Sequence, residues 1–221
     1  MPKLKAVLFD LDGTLIDSEY FHFECWNEIL KTFSYEMTYA DWLKGYAGFP
    51  LPVNSKNIKE RYQLDVPLQE LMTWRERMSM TGLETRTINL MPYAMETLTF
   101  FKEEGLKLGL VTASPQFEVD LIFKRNNLAD FFDVMVTRSD VVNSKPDPEG
   151  YNLCVSKLGV EKEECIAFED TINGLRAAKA AGLICYAIQQ DETQHEKLSV
   201  ADSIFLDLEE GRKKAHLSLM L

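Results

Sequence analysis

The chain has 221 residues, 46% of them apolar, enough to bury a full core in one large domain or in a core with a small second unit. Its 24 basic residues against 35 acidic ones give a net charge of −11 with no Lys/Arg block, which argues against a nucleic-acid partner. No stretch approaches the roughly 20 apolar residues of a membrane helix, and the start, Met1-Pro2-Lys3-Leu4-Lys5, runs into a strand-like segment, so a cytoplasmic protein without a membrane partner is expected.

The first element is the apolar run Leu4–Phe9, read as a strand, which ends in Phe9-Asp10-Leu11-Asp12-Gly13-Thr14. Ligands of open α/β sheets bind beyond the carboxyl ends of strands, so both aspartates fall where chemistry is expected. With Leu11 between them an extended backbone would aim the two side chains apart. A turn eased by Gly13 can bring both carboxylates round one small group.

From about Ser18 to Asn89 no convincing strand appears, and the interval is far longer than a connection of about 2 to 6 residues. Phe23, Trp26, Leu30 and Phe33 recur at helical steps, and a second periodic stretch runs from Pro67 to about Met80. Gly45, Gly48, Pro50 and Pro52 divide the two. The segment reads as a small all-helical insert holding all three tryptophans, Trp26, Trp42 and Trp74. Such a small unit needs bulky side chains to make any core, the alternative being an apolar substrate surface.

Further strands are expected at Leu106–Val111, Val134–Val136, Cys165–Phe168, Leu183–Ile188 and Ile204–Leu206, mostly alternating with helices. This pattern gives the fold class: α/β, a doubly wound, Rossmann-like parallel sheet with the helical insert after its first strand. The expected domains are 1–17 with 90–221 as the core and 18–89 as the insert. The second strand runs into Thr112-Ala113-Ser114-Pro115, with Ser114 a helix N-cap candidate and Pro115 at the first helical position. Thr112 and the N–H groups after it would bind an anion at that helix start.

In Ser144-Lys145-Pro146-Asp147-Pro148 two prolines stiffen the backbone around Asp147, another N-cap candidate, and Lys145 can point a fixed positive charge into the cleft. The strand Cys165–Phe168 runs into Glu169-Asp170-Thr171, followed by an expected helix Thr171–Ala181 closed by Gly182. Gathering Glu169, Asp170, Asp10 and Asp12 would be self-repulsive without a cation, and hard oxygen ligands suit Mg²⁺. The cysteines Cys25, Cys154, Cys165 and Cys185 form no CxxC pair and read as buried free thiols.

FDLDGT, VTAS, SKPDP and FEDTINGLRAAKAAG, in this order, resemble the four motifs of the haloacid dehalogenase superfamily, and the insert looks like its α-helical cap. Asp17-Ser18-Glu19 and His22 bring the β-phosphoglucomutase-like phosphatases closest. The resemblance implies Mg²⁺-dependent hydrolysis of a small phosphorylated metabolite, a sugar phosphate, through an aspartyl-phosphate on Asp10. Asp12 would protonate the leaving oxygen and then activate water. Asp10, Asp170 and the main-chain carbonyl of Asp12 would ligate the metal, with Glu169 in or near its second layer. Thr112, Ala113, Ser114 and Lys145 would hold the phosphoryl group, and His22 would touch the hinge or the substrate.

Other chemistries on this fold fit less well. Dehalogenation needs neither Asp12 nor the Glu169-Asp170 pair, and phosphonate cleavage needs a Schiff-base lysine that nothing marks among Lys44, Lys56 and Lys59. A catalytically silent binding module would have lost a motif acid. A phosphomutase shares the aspartyl-phosphate but needs a second cation in the cap; in the β-phosphoglucomutases this looks to be an arginine where this chain has Gly48, leaving Arg75 or Arg77 as substitutes.

Overall fold

The structure, a computed structural model, describes residues 3–86 and 88–217. The chain forms two compact units, Met1–Asp17 with Asn89–Leu221, and Ser18–Ile88.

The larger unit is built on six parallel strands in the order β3-β2-β1-β4-β5-β6: β1 Ala6–Phe9, β2 Lys107–Val111, β3 Val134–Val136, β4 Cys165–Glu169, β5 Ile184–Ile188 and β6 Ser203–Phe205. The α/β, doubly wound expectation holds. β1 lies between β2 and β4, with Phe9 level with both Leu110 and Phe168. The strand order therefore reverses beside β1, and the crevice at its carboxyl end is where such sheets take ligands.

Side chains alternate across each strand, and this alternation aims the later chemistry. Phe9 stacks on Phe168 at 5.2 Å between ring centres, and Phe101 packs beside both. Their face is covered by α5 (Ala94–Glu103) and α9 (Leu208–Leu217). Ala6, Leu8, Val111, Val136, Cys165 and Ala167 point to the other face. There they meet Tyr151, Cys154 and Leu158 of α7 (Glu149–Leu158) and Leu175, Ala177 and Ala178 of α8 (Ile172–Ala180). One residue further along, the same period turns Asp10 and Glu169 toward the α7 and α8 side. All four cysteines are buried thiols outside any disulfide.

Among its described residues the smaller unit has four helices: α1 (Glu19–Thr32), α2 (Tyr39–Gly45), α3 (Leu51–Arg61) and α4 (Leu68–Thr85). Its core contains Phe23, Trp26, Ile29, Leu30, Trp42, Tyr46, Ile58 and Leu71, and Trp74 packs against its edge. Trp26 and Trp42 are thus the bulky centre that so small a unit needs. Trp42 Nε1 donates to Glu19 Oε2 at 2.7 Å, satisfying the indole. Three of the four expected breakers act as such: α2 ends at Gly45, Gly48 takes φ +73°, and Pro50 caps α3, whereas Pro52 lies in the first turn of α3.

The ends of the insert lie together. Asp17 N donates to Asn89 O at 2.9 Å, and Met91 N to Leu15 O at 2.9 Å, so the outgoing and returning chain run side by side within the larger unit.

Candidate active site

Four strand-end segments of the larger unit supply the site. The β1 turn is closed by Gly13 N donating to Ile16 O at 2.8 Å and by Leu15 N and Ile16 N both donating to Leu11 O. Gly13 sits at φ +79°, and a Cβ there would lie 2.1 Å from Asp170 Oδ2. Only glycine leaves room for the Asp170 carboxylate against this turn, which brings the end of β4 to the end of β1.

Asp10 is 6% exposed and Glu169 is fully enclosed. Lys145 bridges them: its Nζ donates to Asp10 Oδ1, to Glu169 Oε1 at 2.6 Å and to Val111 O at 2.8 Å. These three bonds use all the donors of an ammonium group. Glu169 Oε1 also accepts from the Tyr151 hydroxyl at 2.6 Å, while Oε2 has no hydrogen-bond partner among the described residues and lies against Gly174, where a Cβ would come within 1.9 Å of it.

The electrostatics follow from this enclosure. Burial pushes the Asp10 carboxyl up to about 8, and Glu169 and Asp12 add to the rise against the pull of Lys145. For Lys145 burial disfavours the charge, but the Asp10 and Glu169 carboxylates outweigh it and raise the ammonium pKa. Lys145 is therefore a firmly held cation, outnumbered by the acids around it.

Carboxylate oxygens of Asp10, Glu169 and Asp170 all lie within 4.8 Å of one another. An all-oxygen donor set, crowded with negative charge and served by a single ammonium, fits a hard divalent cation. Two of the three expected ligands, Asp10 and Asp170, lie together with Glu169 in this cluster, with Glu169 tied to Lys145 and Tyr151 through Oε1.

Thr112 is 5% exposed, and its Oγ1 accepts from Ser114 N at 3.0 Å, which leaves the hydroxyl hydrogen to donate elsewhere. Ala113 is exposed at the turn. Ser114 was expected to cap the following helix, but α6 (Gln116–Asn126) begins two residues later behind Pro115. The reason is that Ser114 Oγ donates to Asp12 Oδ2 at 2.6 Å instead, and Gln116 N finds Ser139 Oγ. Asp147 likewise sits two residues before its helix, accepting from Glu149 N at 2.9 Å behind Pro148. Thr171 does cap α8, accepting from Gly174 N.

His22 belongs to the helical unit, where its Nδ1 lies 2.9 Å from an Arg75 nitrogen; since a guanidinium only donates, Nδ1 accepts. Arg75 is 5% exposed, bonds Ser79 Oγ and lies over the Trp26 ring. Tyr151 escaped the motif reading. Its one sequence signal is the step Tyr151, Cys154, Leu158, which marks it only as the first core-facing position of α7.

Residues 7–188 match the family described as haloacid dehalogenase-like hydrolase. The chain is 33% identical over 184 residues to the phosphorylated carbohydrates phosphatase of Thermotoga maritima, spanning 81% of this chain and 82% of that protein. It is 32% identical over 214 residues to the validoxylamine A 7'-phosphate phosphatase of Streptomyces hygroscopicus subsp. limoneus, spanning 94% and 96%. Among solved structures it is similar to one from Thermotoga maritima assigned as a β-phosphoglucomutase, with TM-score 0.78 and 29% identity over 96% of this chain and 99% of that one.

Proposed function

Since the chain belongs to the haloacid dehalogenase-like hydrolases and is a phosphoric monoester hydrolase, we propose that it dephosphorylates a small phosphorylated carbohydrate with Mg²⁺, through an aspartyl-phosphate on Asp10. The observation that carries this is the Asp10–Lys145–Glu169 cluster beside Asp170, at the carboxyl ends of the central strands.

Asp10 attacks phosphorus, and its carboxylate oxygen forms the new P–O bond as the bond to the substrate oxygen breaks. Asp12 gives that leaving oxygen a proton, then takes one from the water that attacks the aspartyl-phosphate, restoring both acids. Thr112 donates to a phosphoryl oxygen, with Ala113 and Ser114 in the same turn. Of the three Lys145 donors, the one on Asp10 turns to the phosphoryl group, because Val111 and Glu169 retain the other two. Mg²⁺, held by Asp10, Asp170 and the Asp12 carbonyl, would neutralise charge on the transferring group. The helical unit is the cap in this scheme, and His22 belongs to it.

A mutase has one observation in its favour, the similarity to the structure assigned as a β-phosphoglucomutase. Against it, Gly48 holds the place where that group's arginine is expected, and its N–H donates to the Glu19 carboxylate at 3.1 Å. A carboxylate there repels a second phosphate. Arg75, the first substitute, is enclosed by His22, Ser79 and Trp26.

The test is phosphate release across a panel of hexose, pentose and polyol phosphates, with Mg²⁺ or after chelation. Wild type should hydrolyse several of them only with the metal, and Asp10→Asn should be inactive yet folded. Turnover by Asp10→Asn, or full activity after exhaustive chelation, sinks the mechanism; glucose 6-phosphate forming from β-glucose 1-phosphate faster than free phosphate promotes the mutase.

A further inference from the structure

The buried hydroxyl of Tyr151 has no part in the chemistry above, yet it shares one carboxylate oxygen with the lysine that has. We propose that Tyr151 is a positioning residue for phosphoryl transfer, fixing Glu169 so that Glu169 in turn fixes the direction of the Lys145 ammonium. The inference rests on the phosphatase mechanism proposed for this site.

Three observations carry it. Tyr151 is fully buried at the first inward position of α7, so its ring cannot swing, and its hydroxyl is 2.6 Å from Glu169 Oε1. Glu169 is enclosed as well, and its other oxygen has no hydrogen-bond partner among the described residues and is backed by Gly174. The carboxylate is thus oriented by two donors on one oxygen, Tyr151 and Lys145, and only Tyr151 belongs to a rigid element. Finally, the Lys145 Nζ lies 5.5 Å from the centre of the Tyr151 ring, so the same residue borders the ammonium on a second side.

A phosphoryl group takes one donor from Lys145, and the ammonium is then held by two contacts, Val111 O and Glu169. If Glu169 rotates, half of that hold is lost. Without the hydroxyl, the carboxylate can follow Lys145 rather than restrain it. Charge stabilisation in phosphoryl transfer depends on donors fixed before the transition state forms, so the loss falls on turnover rather than on substrate affinity.

The experiment is a double-mutant cycle of Tyr151→Phe and Glu169→Gln, with kcat, KM and urea midpoints measured on the best phosphorylated substrate at saturating Mg²⁺. Tyr151→Phe should lower kcat about tenfold with KM within about twofold, and the double variant should be no slower than Glu169→Gln alone, since the hydroxyl acts only through that carboxylate. A kcat for Tyr151→Phe within twofold of wild type, or losses that multiply in the double variant, overturns the proposal. If Tyr151→Phe does not fold, 3-fluorotyrosine at position 151 keeps the ring and the hydroxyl but alters the donor; kcat should then change, and an unchanged kcat overturns the proposal equally. Asp10→Asn run alongside separates the two readings. Activity in that variant defeats the phosphatase mechanism itself, while an inactive Asp10→Asn with a fully active Tyr151→Phe defeats the Tyr151 role alone.

Discussion

Ser114 Oγ donates to Asp12 Oδ2 at 2.6 Å, joining the end of β2 to the turn after β1. The contact sets the direction of the proposed acid–base carboxylate at the expense of a conventional helix cap. We expect Ser114→Ala to cost about 1 kcal/mol of transition-state stabilisation, roughly fivefold in kcat, the usual net value of one hydrogen bond. The loss should be larger for an alkyl phosphate, whose leaving oxygen needs a proton, than for an aryl phosphate. Equal rates for wild type and Ser114→Ala on both substrates would show that the bond does not orient Asp12.

Lys145 is the only ammonium bonded to the enclosed Asp10 and Glu169 among the described residues. Removing one partner of a buried ion pair typically costs about 3–5 kcal/mol, and proton uptake by Asp10, already raised to about 8, offsets part of it. Urea unfolding of Lys145→Met should therefore show about 2–4 kcal/mol of destabilisation, greater at pH 8.5 than at pH 6, because the uncompensated carboxyls ionise as pH rises. Saturating Mg²⁺ should restore part of the loss. A midpoint equal to wild type in metal-free buffer at pH 8.5 would contradict the ion-pair account.

Gly174 and Gly45 are both helical glycines with opposite surroundings. A Cβ at Gly174 would meet the Glu169 carboxylate at 1.9 to 2.1 Å, whereas one at Gly45 meets nothing within 4 Å among the described residues. Gly174→Ala should displace Glu169 and reduce both kcat and stability, the latter by about 1–3 kcal/mol as in other overpacked sites. Gly45→Ala should be neutral or stabilising by up to about 1 kcal/mol. Thermal unfolding of the two variants tests the contrast, and a stable, fully active Gly174→Ala would mean that Glu169 can move without consequence.

Asp140 closes a capping box with the buried Thr137 below the cleft, and the Thr137 N–H, followed by its hydroxyl, holds the Asp140 carboxyl below the usual carboxylate range. A folded-state pKa below the unfolded value gives stability that is present above about pH 4 and is lost as pH falls through the folded value. Asp140→Asn should lower stability at pH 7 by about 1 kcal/mol, as for other lost caps, and flatten its decline below pH 4. Urea midpoints at pH 7 and pH 3 measure this. A loss of the same size at both pH values would remove the charge from the explanation.

Much of the fold was legible because the parallel strands are buried on both faces and read as unbroken apolar runs; Val134–Val136 matches its strand to the residue. The ends were blurred where side-chain partners compete with propensity. Ser114 has the composition of a cap, but an aspartate 102 positions away takes its hydroxyl. Pro67 to Met80 underestimates α4, which continues to Thr85. The acids and the lysine of the site could be found because each lies at a strand end or just before a stiff turn. Tyr151 could not be, since its position in a helix describes packing and its role depends on Glu169, 18 residues later in another element.

The adjacent backbone path at Asp17 and Asn89 bears on how such a protein diversifies. A segment that departs and rejoins at neighbouring points adds no constraint on the sheet, because the distance its ends must span is the same whatever lies between them. Lengthening it costs little closure entropy, growing only with the logarithm of its length. Inserts of different length can therefore be carried at these two positions without altering the segments that hold Asp10, Lys145 and Glu169.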